Sequence, residues 1–128
     1  MLIGYLLNFI FFTQGLAQDQ MLEDLGIALS TNISKEVVSR LHTPFKLQLA
    51  GESLILTDKA AAEKALRTFF NNHKALSFEY TTPANVTNGL LYRMGVYKTK
   101  TGEQYRVYLL FKEKDGKYYL STLSFSRD

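Results

Sequence analysis

The side chains of this sequence that could carry chemistry are two histidines, twelve carboxylates and eight tyrosines. An isomerase or dehydratase site pairs a carboxylate or histidine base with a hydrogen-bond donor such as tyrosine. Glu79 falls on the polar side of a predicted strand. The other acids considered fall in turns or near helix starts: Glu103, Glu113, Asp115, Asp58, Glu23 and Asp24. His42 and His73 have no Cys, Asp or Glu at ligand spacing. We therefore predict no catalytic residue, no metal ligand and no cofactor.

Arg93 is the charged residue that stands out, because the predicted strand register, given below, puts it on the helix-facing side of the sheet between apolar neighbours. A buried arginine needs an anion or carbonyl groups as partners, so Arg93 and nearby rings could hold an acidic small molecule. The predicted pocket-lining residues are Arg93, Tyr97, Tyr105, Tyr119 and His42. Other interpretations stay open, because the guanidinium could reach solvent at the rim and the tyrosines could be core residues.

The composition is that of one domain with a sizeable apolar core. The chain has 128 residues, of which 46% are hydrophobic, and this length suits one domain and not two. It has no cysteine, which excludes disulfides, thiolate metal sites and a lipid-anchored cysteine. The net charge is +3 and the basic residues are scattered, so no nucleic-acid partner is predicted.

The first 17 residues have the pattern of a secretory signal. An apolar run over residues 2–12 precedes Gly15-Leu16-Ala17, which puts small residues at the −3 and −1 positions of a cleavage site. The usual positive start is missing, because no Lys or Arg precedes Lys35. A membrane anchor is the alternative, but the run is too short to span about 30 Å as a helix. We expect a signal peptide at 1–17, one domain at 18–128 without a membrane span, and export to the periplasm or the medium.

Apolar periodicity predicts the order α-α-β-β-α-β-β-β-β. Residues 19–31 carry one helical stripe, a short helix follows, and Asp58 is placed to cap a third helix at 59–73. Two strands come between the second and third helices, and four come after the third. Runs of strands after helices argue for an α+β domain with a largely antiparallel sheet.

The hairpin around Asp115-Gly116 can close in two ways, and the choice decides which residues share a face. A two-residue turn would place Leu109 opposite Thr122, which mixes apolar and polar residues on one face. A three-residue turn, which pairs Glu113 with Lys117, keeps the apolar residues of both strands together, and we predict that turn. On the core side it places Tyr105, Val107, Leu109, Phe111, Tyr119, Leu123 and Phe125.

The same closure at Lys100-Thr101-Gly102 puts Arg93 on the core side, unless a bulge at Gly95 reverses residues 90–94. The opposite sheet face then carries too much apolar surface to remain exposed to water. Six large side chains could stabilise a homodimer even after the costs of association. The predicted dimer face consists of Tyr92, Met94, Tyr108, Leu110, Tyr118 and Leu120.

The segments "PFKLQLAGESLILTDKAAAEKALRTFF" and "YRMGVYKTKTGEQYRVYLLFKEKDGKYYLSTLSF" resemble a bacterial family, that of domain of unknown function 4783. This family lies within the nuclear transport factor 2-like (cystatin-like α+β) superfamily. The resemblance covers about residues 19–127 and rests on strand, turn and glycine positions rather than on catalytic motifs. It implies an exported, cone-shaped protein, with three helices of the N-terminal half packed on the concave face of a strongly bent, mainly antiparallel sheet. It implies no established activity, and superfamily relatives often dimerise through the convex sheet face.

Three functions fit these patterns. The one we favour is a non-catalytic exported module that binds a small molecule or a partner protein through its cone or its convex face. The second is a pocket enzyme of the isomerase, dehydratase or hydrolase type, which requires a carboxylate or His of raised pKa beside a Tyr in the cone. The third is a purely structural interaction domain, which a cone filled by Phe69, Phe70, Leu25 and Leu29 would favour.

Overall fold

The structure is a computed structural model that describes residues 18–56 and 58–127. The signal sequence predicted for residues 1–17 lies outside these described residues. Within them, no helix is both long enough and apolar enough to cross a bilayer.

Three helices and a curved, unclosed sheet of seven strands make up the described chain, which confirms the predicted α+β class. The helices are α1 (residues 18–30), α2 (Ser34–Ser39) and α3 (Lys59–Asn72). The strands are β1 (Leu41–Leu49), β2 (Glu52–Leu56), β3 (Ala75–Tyr80), β4 (Asn85–Thr87), β5 (Leu90–Thr99), β6 (Gln104–Lys114) and β7 (Lys117–Arg127). The one addition to the predicted order is the short strand β4, which lies in a segment predicted as a polar loop.

The sheet has the strand order β2-β1-β7-β6-β5-β3, and β4 pairs with β5 beside β3. The pairing of β1 with β7 is parallel and all other pairings are antiparallel. The helices cover one face, the concave side, and the buried core lies between them and that face. We call the other face of the sheet the outer face.

Helix α3 shows how the sequence fixes this packing. Asp58 caps its start as predicted, because one carboxylate oxygen accepts a hydrogen bond of 2.9 Å from the backbone N–H of Ala60. The apolar stripe of α3 is buried and ends in Leu66, Phe69 and Phe70, which pack into the core. Burial of such large side chains is what holds the helix on the sheet.

The β5–β6 hairpin has the predicted register, so Arg93 and Gly95 lie on the concave side. Its three-residue loop contains Gly102 at φ +91°, and Tyr97 pairs with Tyr105. The ladder continues through Gly95 without a break, so the alternative of a bulge there is wrong. A Cβ at Gly95 would instead lie 2.5 Å from the ring of Phe78, which explains why a glycine is needed.

The β6–β7 hairpin corrects the predicted register. Its turn has two residues, Asp115 and Gly116, with φ values of +53° and +78°, and it pairs Lys114 with Lys117. The pairing then shifts by one residue at Ser121, so that Leu109 faces Leu123 rather than Thr122. The bulge therefore allows a two-residue turn and also keeps the apolar residues of both strands on the core face. A regular ladder without a bulge could not do both.

This bulge moves three predicted site residues to the other face of the sheet. Leu120 pairs with Phe111 and is 0% exposed in the core, and Tyr118 packs against the core as well. Both were predicted on the dimer face, and that placement is wrong. Tyr119, predicted to line the concave pocket, pairs with Lys112 and lies on the outer face.

Candidate functional site

Arg93 lies on the concave side but forms no anion site with the predicted tyrosines. Its guanidinium carbon lies 4.2 Å from the ring centre of Tyr80, whose hydroxyl donates a 2.7 Å hydrogen bond to the carbonyl of Leu22 in α1. Burial raises the pKa of Tyr80 to about 12, and the charge of Arg93 partly opposes that rise. Among the described residues Arg93 Nε has no hydrogen-bond partner. Arg93 therefore acts as a cation over an aromatic face.

Tyr97 and Tyr105 are core residues whose hydroxyl groups are bonded inside the protein. The hydroxyl of Tyr97 donates to the carbonyl of His73 at 2.5 Å and accepts from Asn32 Nδ2 at 2.7 Å. Asn32 Oδ1 also accepts a 2.9 Å bond from the backbone N–H of Ala75, which ties the end of α1 to β3. Burial raises the pKa of Tyr97 to about 12. The Tyr97 hydroxyl therefore links β5 to the end of α3 through His73 and to the end of α1 through Asn32.

A polar cluster that the sequence did not predict lies at one end of the sheet, and we call its residues His73, Glu103, Tyr105 and Arg127 the His73 cluster. His73 Nδ1 lies 3.0 Å from one oxygen of Glu103. The other oxygen accepts from the Tyr105 hydroxyl at 3.3 Å and lies 3.2 Å from Arg127 Nη1. The cluster could have been predicted only from the pairing of β3 with β5. Because Ala75 pairs with Thr99, His73 lies close to the β5–β6 loop that carries Glu103.

The chemistry of this cluster is that of a structural tie. The hydrogen bond from His73, followed by the charges of His73 and Arg127, lowers the pKa of the Glu103 carboxyl below its ordinary value. A general base at neutral pH needs the opposite shift, because it must give back its proton near the operating pH. Both oxygens of Glu103 are already occupied, and they join the end of α3 to the β5–β6 loop and to the end of β7.

The concave side is filled by packed side chains. Leu25, Leu29, Phe69 and Phe70 are buried there, and the ring of Phe69 lies within 4.8–6.3 Å of the neighbouring aromatic rings. Two depressions in the described surface, one lined by Tyr92 and Met94 and one by His42 and Tyr119, open on the outer face. The same four side chains were expected to fill the cone of a purely structural interaction domain, and they are buried as that hypothesis requires.

The outer face carries a group of half-buried residues that we call the apolar band: Tyr92, Met94, Tyr108 and Leu110. These residues are direct neighbours, since Tyr92 pairs with Leu110 and Met94 with Tyr108, and the two tyrosine rings lie 6.2 Å apart. A depression of about 470 Å³ adjoins the band and is lined by Thr82, Pro83, Ala84, Asn85, Tyr92 and Met94. Four of the six predicted dimer-face residues thus lie together on one face.

His42 and Tyr119 lie together, but on the outer face and away from Arg93. Their ring centres are 5.1 Å apart, at the start of β1 and near the β6–β7 turn. The prediction that both line the concave side is wrong, because the bulge at Ser121 turns Tyr119 outward and β1 carries His42 to the same place. Residues 18–56 and 58–127 contain no group of three His, Cys, Asp or Glu that could hold a metal ion.

Comparison with known proteins places the chain among domains of undefined activity. A family model described as "Domain of unknown function (DUF4783)" matches residues 22–126. A DUF4783 protein from Bacteroides uniformis is 24% identical, covers 83% of this chain and 95% of its own, and has a TM-score of 0.74. One from Bacteroides ovatus is 20% identical, with coverage of 82% and 93% and a TM-score of 0.73.

The fold extends beyond that family. A nuclear transport factor 2-like protein from Cytophaga hutchinsonii is 12% identical, covers 88% of this chain and 96% of its own, and has a TM-score of 0.65. At these identities the likeness concerns the fold alone. No curated protein matches the chain.

Proposed function

The chain belongs to the DUF4783 family, and from this premise we propose that it is a non-catalytic interaction module that works as a homodimer joined through the outer face of its sheet. Proteins with this fold can place a ligand or a reaction inside the cone, so the state of the concave side decides between the functions considered. The observation that carries the proposal is that this side is packed with aromatic and aliphatic residues, whereas the outer face holds the apolar band.

The energetics are compatible with a dimer of modest affinity. Full burial of a large apolar side chain is worth about 1.5–3 kcal/mol, and the band residues are already half-buried. A twofold dimer counts each of the four residues twice, which gives a gain of about 6–12 kcal/mol. The costs of association are about 4–15 kcal/mol, so the balance is small. The gain is smaller than expected from the sequence because Tyr118 and Leu120 lie on the core side and add nothing to the dimer face.

Substitution of Leu110 tests this proposal. A lysine at position 110 would place a charge in the centre of the band, and the Leu110→Lys variant should be monomeric where the unaltered protein dimerises. Sedimentation velocity from about 1 µM to 1 mM covers the affinities that the energy balance allows. Leu76→Lys is the matched control, because Leu76 is an apolar residue that is 68% exposed on β3, outside the band. A protein that remains monomeric at 1 mM would contradict the proposal.

An enzymatic function has one observation in its favour, the closeness of His73, Glu103 and Tyr105. These residue types could act as base and hydrogen-bond donor. The lowered pKa of Glu103 and the filled concave side weigh against this use. The two roles differ in stability, since removal of a catalytic carboxylate often leaves a fold as stable or more so, while removal of a structural tie weakens it.

Export is part of the proposal and is supported by the sequence of residues 1–17. Their apolar run and the small residues before Gln18 fit a cleaved signal, after which the domain would act in the periplasm or outside the cell. Mass spectrometry of the protein recovered from the exported fraction should show a chain that starts at or near Gln18. Recovery of the uncleaved chain in the membrane fraction would instead support an anchor.

A further inference from the structure

We propose that a groove between the start of β1 and the β6–β7 hairpin binds a small ligand through a phosphate or carboxylate group. The groove has a volume of about 260 Å³. We call it the basic groove, and its lining residues are His42, Thr43, Pro44, Lys112, Glu113, Lys114, Tyr119 and Ser121. This site goes beyond the proposed dimer, because none of its lining residues belongs to the apolar band, which it adjoins at Leu110.

Two irregularities in the sheet meet at this point and open the groove. Leu41 pairs with Leu120, but the next pair along β1 and β7 is Lys46 with Thr122. Residues 42–45 therefore stand opposite the single residue Ser121, which is also the bulge of β7 against β6. Bulges re-aim side chains and are frequent beside binding sites. Here they direct the ring of Tyr119 and the segment after Leu41 towards the same space.

The polar groups of the groove are mainly hydrogen-bond donors. Lys114 Nζ lies 3.1 Å from His42 Nε2. An ammonium group can only donate hydrogen bonds, so in this contact Nε2 of His42 is the acceptor. Lys112 contributes a second ammonium, and Thr43 and Tyr119 contribute hydroxyls, while the Ser121 hydroxyl already donates to the backbone carbonyl of Leu110 at 3.3 Å. A phosphate or carboxylate accepts several hydrogen bonds at once and is the partner that such a set of donors fits.

The charge around the groove is positive on the face where it opens. Lys112 and Lys114 alternate with Glu113 along β6, so the Glu113 side chain lies on the opposite face, where its carboxylate is close to Gly89. Lys46 adds another positive charge on the outer face beside Thr122. Asp115, in the turn, is the nearest other acid along the chain. Because the site is partly open to solvent, salt screens these charges and binding should weaken as ionic strength rises.

The size and walls of the groove limit its ligand. A volume of about 260 Å³ is slightly below the usual range of pockets for drug-sized molecules, about 300–1,000 Å³. The rings of His42 and Tyr119, 5.1 Å apart, form an apolar wall next to the ammonium groups. The ligand class is therefore a small organic acid or phosphate ester, with the acidic group on the lysines and a compact body against the rings.

Titration of the ¹⁵N-labelled protein with inorganic phosphate tests the site, with sodium acetate and sodium chloride at equal ionic strength for comparison. We expect saturable amide shifts in residues 42–44, 112–114 and 119–121 with phosphate or acetate but not with chloride. Stronger binding of phosphate would identify a phosphate ester as the ligand class, and stronger binding of acetate a carboxylic acid. Shifts of equal size for all three salts, spread over exposed lysines, would overturn the proposal.

Matched variants separate the groove from general charge effects. The double variant Lys112→Gln/Lys114→Gln should weaken binding about tenfold or more, as expected for loss of hydrogen bonds to a charged group. Lys98→Gln, which removes an exposed lysine elsewhere on the outer face, should leave it unchanged. Equal effects of both changes would contradict a built site. The double variant should keep the oligomeric state of the unaltered protein, so failure of the groove and failure of the dimer are distinguishable.

Discussion

At the residue scale, the hydroxyl groups of the concave side are bonded to the protein itself, and this is what separates core residues from pocket residues. Tyr97 and Tyr105 lie on the predicted face, yet the bonds to His73, Asn32 and Glu103 could not be predicted from the sequence. Those bonds depend on where the end of α3 and the β5–β6 loop meet. The alternation of apolar and polar residues predicts which face of the sheet a strand residue lies on. It does not predict which group its hydroxyl will bond.

Replacement of Tyr97 by phenylalanine should change the alkaline stability profile. Burial raises the pKa of Tyr97 in the folded protein to about 12, against an ordinary value of 10.0. The stability that this shift represents is fully present below pH 10 and is lost as the pH rises towards 12. Over that interval Tyr97→Phe should lose stability less steeply, by up to about 1.4 kcal/mol per pH unit.

Urea unfolding between pH 8 and 11.5 measures this difference. Tyr119→Phe, which removes a hydroxyl on the outer face, is the control. Parallel pH profiles for the unaltered protein and Tyr97→Phe would show that the hydroxyl of Tyr97 is not buried as described.

Glu103→Gln should destabilise the fold at neutral pH, because the neutral amide weakens the contacts with His73 and Arg127. The pKa of Glu103 is lowered in the folded state, so its contribution is present above the pKa of the unfolded chain and is lost as the pH falls through the lower, folded value. The gap in unfolding free energy between the two proteins should therefore close on acidification below the ordinary glutamate pKa of 4.5. Denaturant titrations at pH 7, 5 and 3 measure it, with Glu79→Gln as an exposed control. A variant as stable as the original at pH 7 would favour the enzymatic role.

At the element scale, the two long hairpins show how far pattern and turn chemistry lead. The β5–β6 hairpin follows its pattern, because one three-residue loop satisfies both the turn and the apolar faces. In the β6–β7 hairpin, the turn Asp115-Gly116 sets one register and the apolar faces of the strands require another. The bulge at Ser121 shifts the pairing from the first register to the second. Ser121 has no feature in the sequence that marks it as a bulge, so Tyr118, Tyr119 and Leu120 were assigned to the wrong faces.

Gly95→Ala tests the close approach of β3 to the helix-facing side of β5. The new methyl group would lie 2.5 Å from the ring of Phe78 and 2.8 Å from the carbonyl oxygen of Glu79. We expect a loss of about 1–3 kcal/mol, the usual cost of overpacking. In a Phe78→Leu background the loss should be smaller, because one of the two obstacles is reduced. Equal losses in both backgrounds, measured by urea unfolding, would show that the ring is not the obstacle.

At the scale of the whole molecule, the fold class and the order of its elements could be predicted from periodicity, turn signals and the family resemblance. Which residues lie on the concave face and which on the outer face could be predicted only in part. The filled concave side follows from side-chain packing of Phe69, Phe70 and the aromatic residues around them, which strand and helix patterns do not specify. The two surfaces that we propose for binding, the apolar band and the basic groove, both lie on the outer face.

The central claim, that the outer face meets a second copy of the chain, is tested most directly by methionine oxidation. Met94 lies in the apolar band, and Met21, which is also half-buried, lies in α1 against the core. Oxidation rates measured by peptide mass spectrometry at about 1 µM and 1 mM protein compare the two residues within one sample. We expect Met94 to oxidise more slowly at the higher concentration, because a second chain covers it, while the rate for Met21 stays the same. Equal rates for Met94 at both concentrations would contradict it.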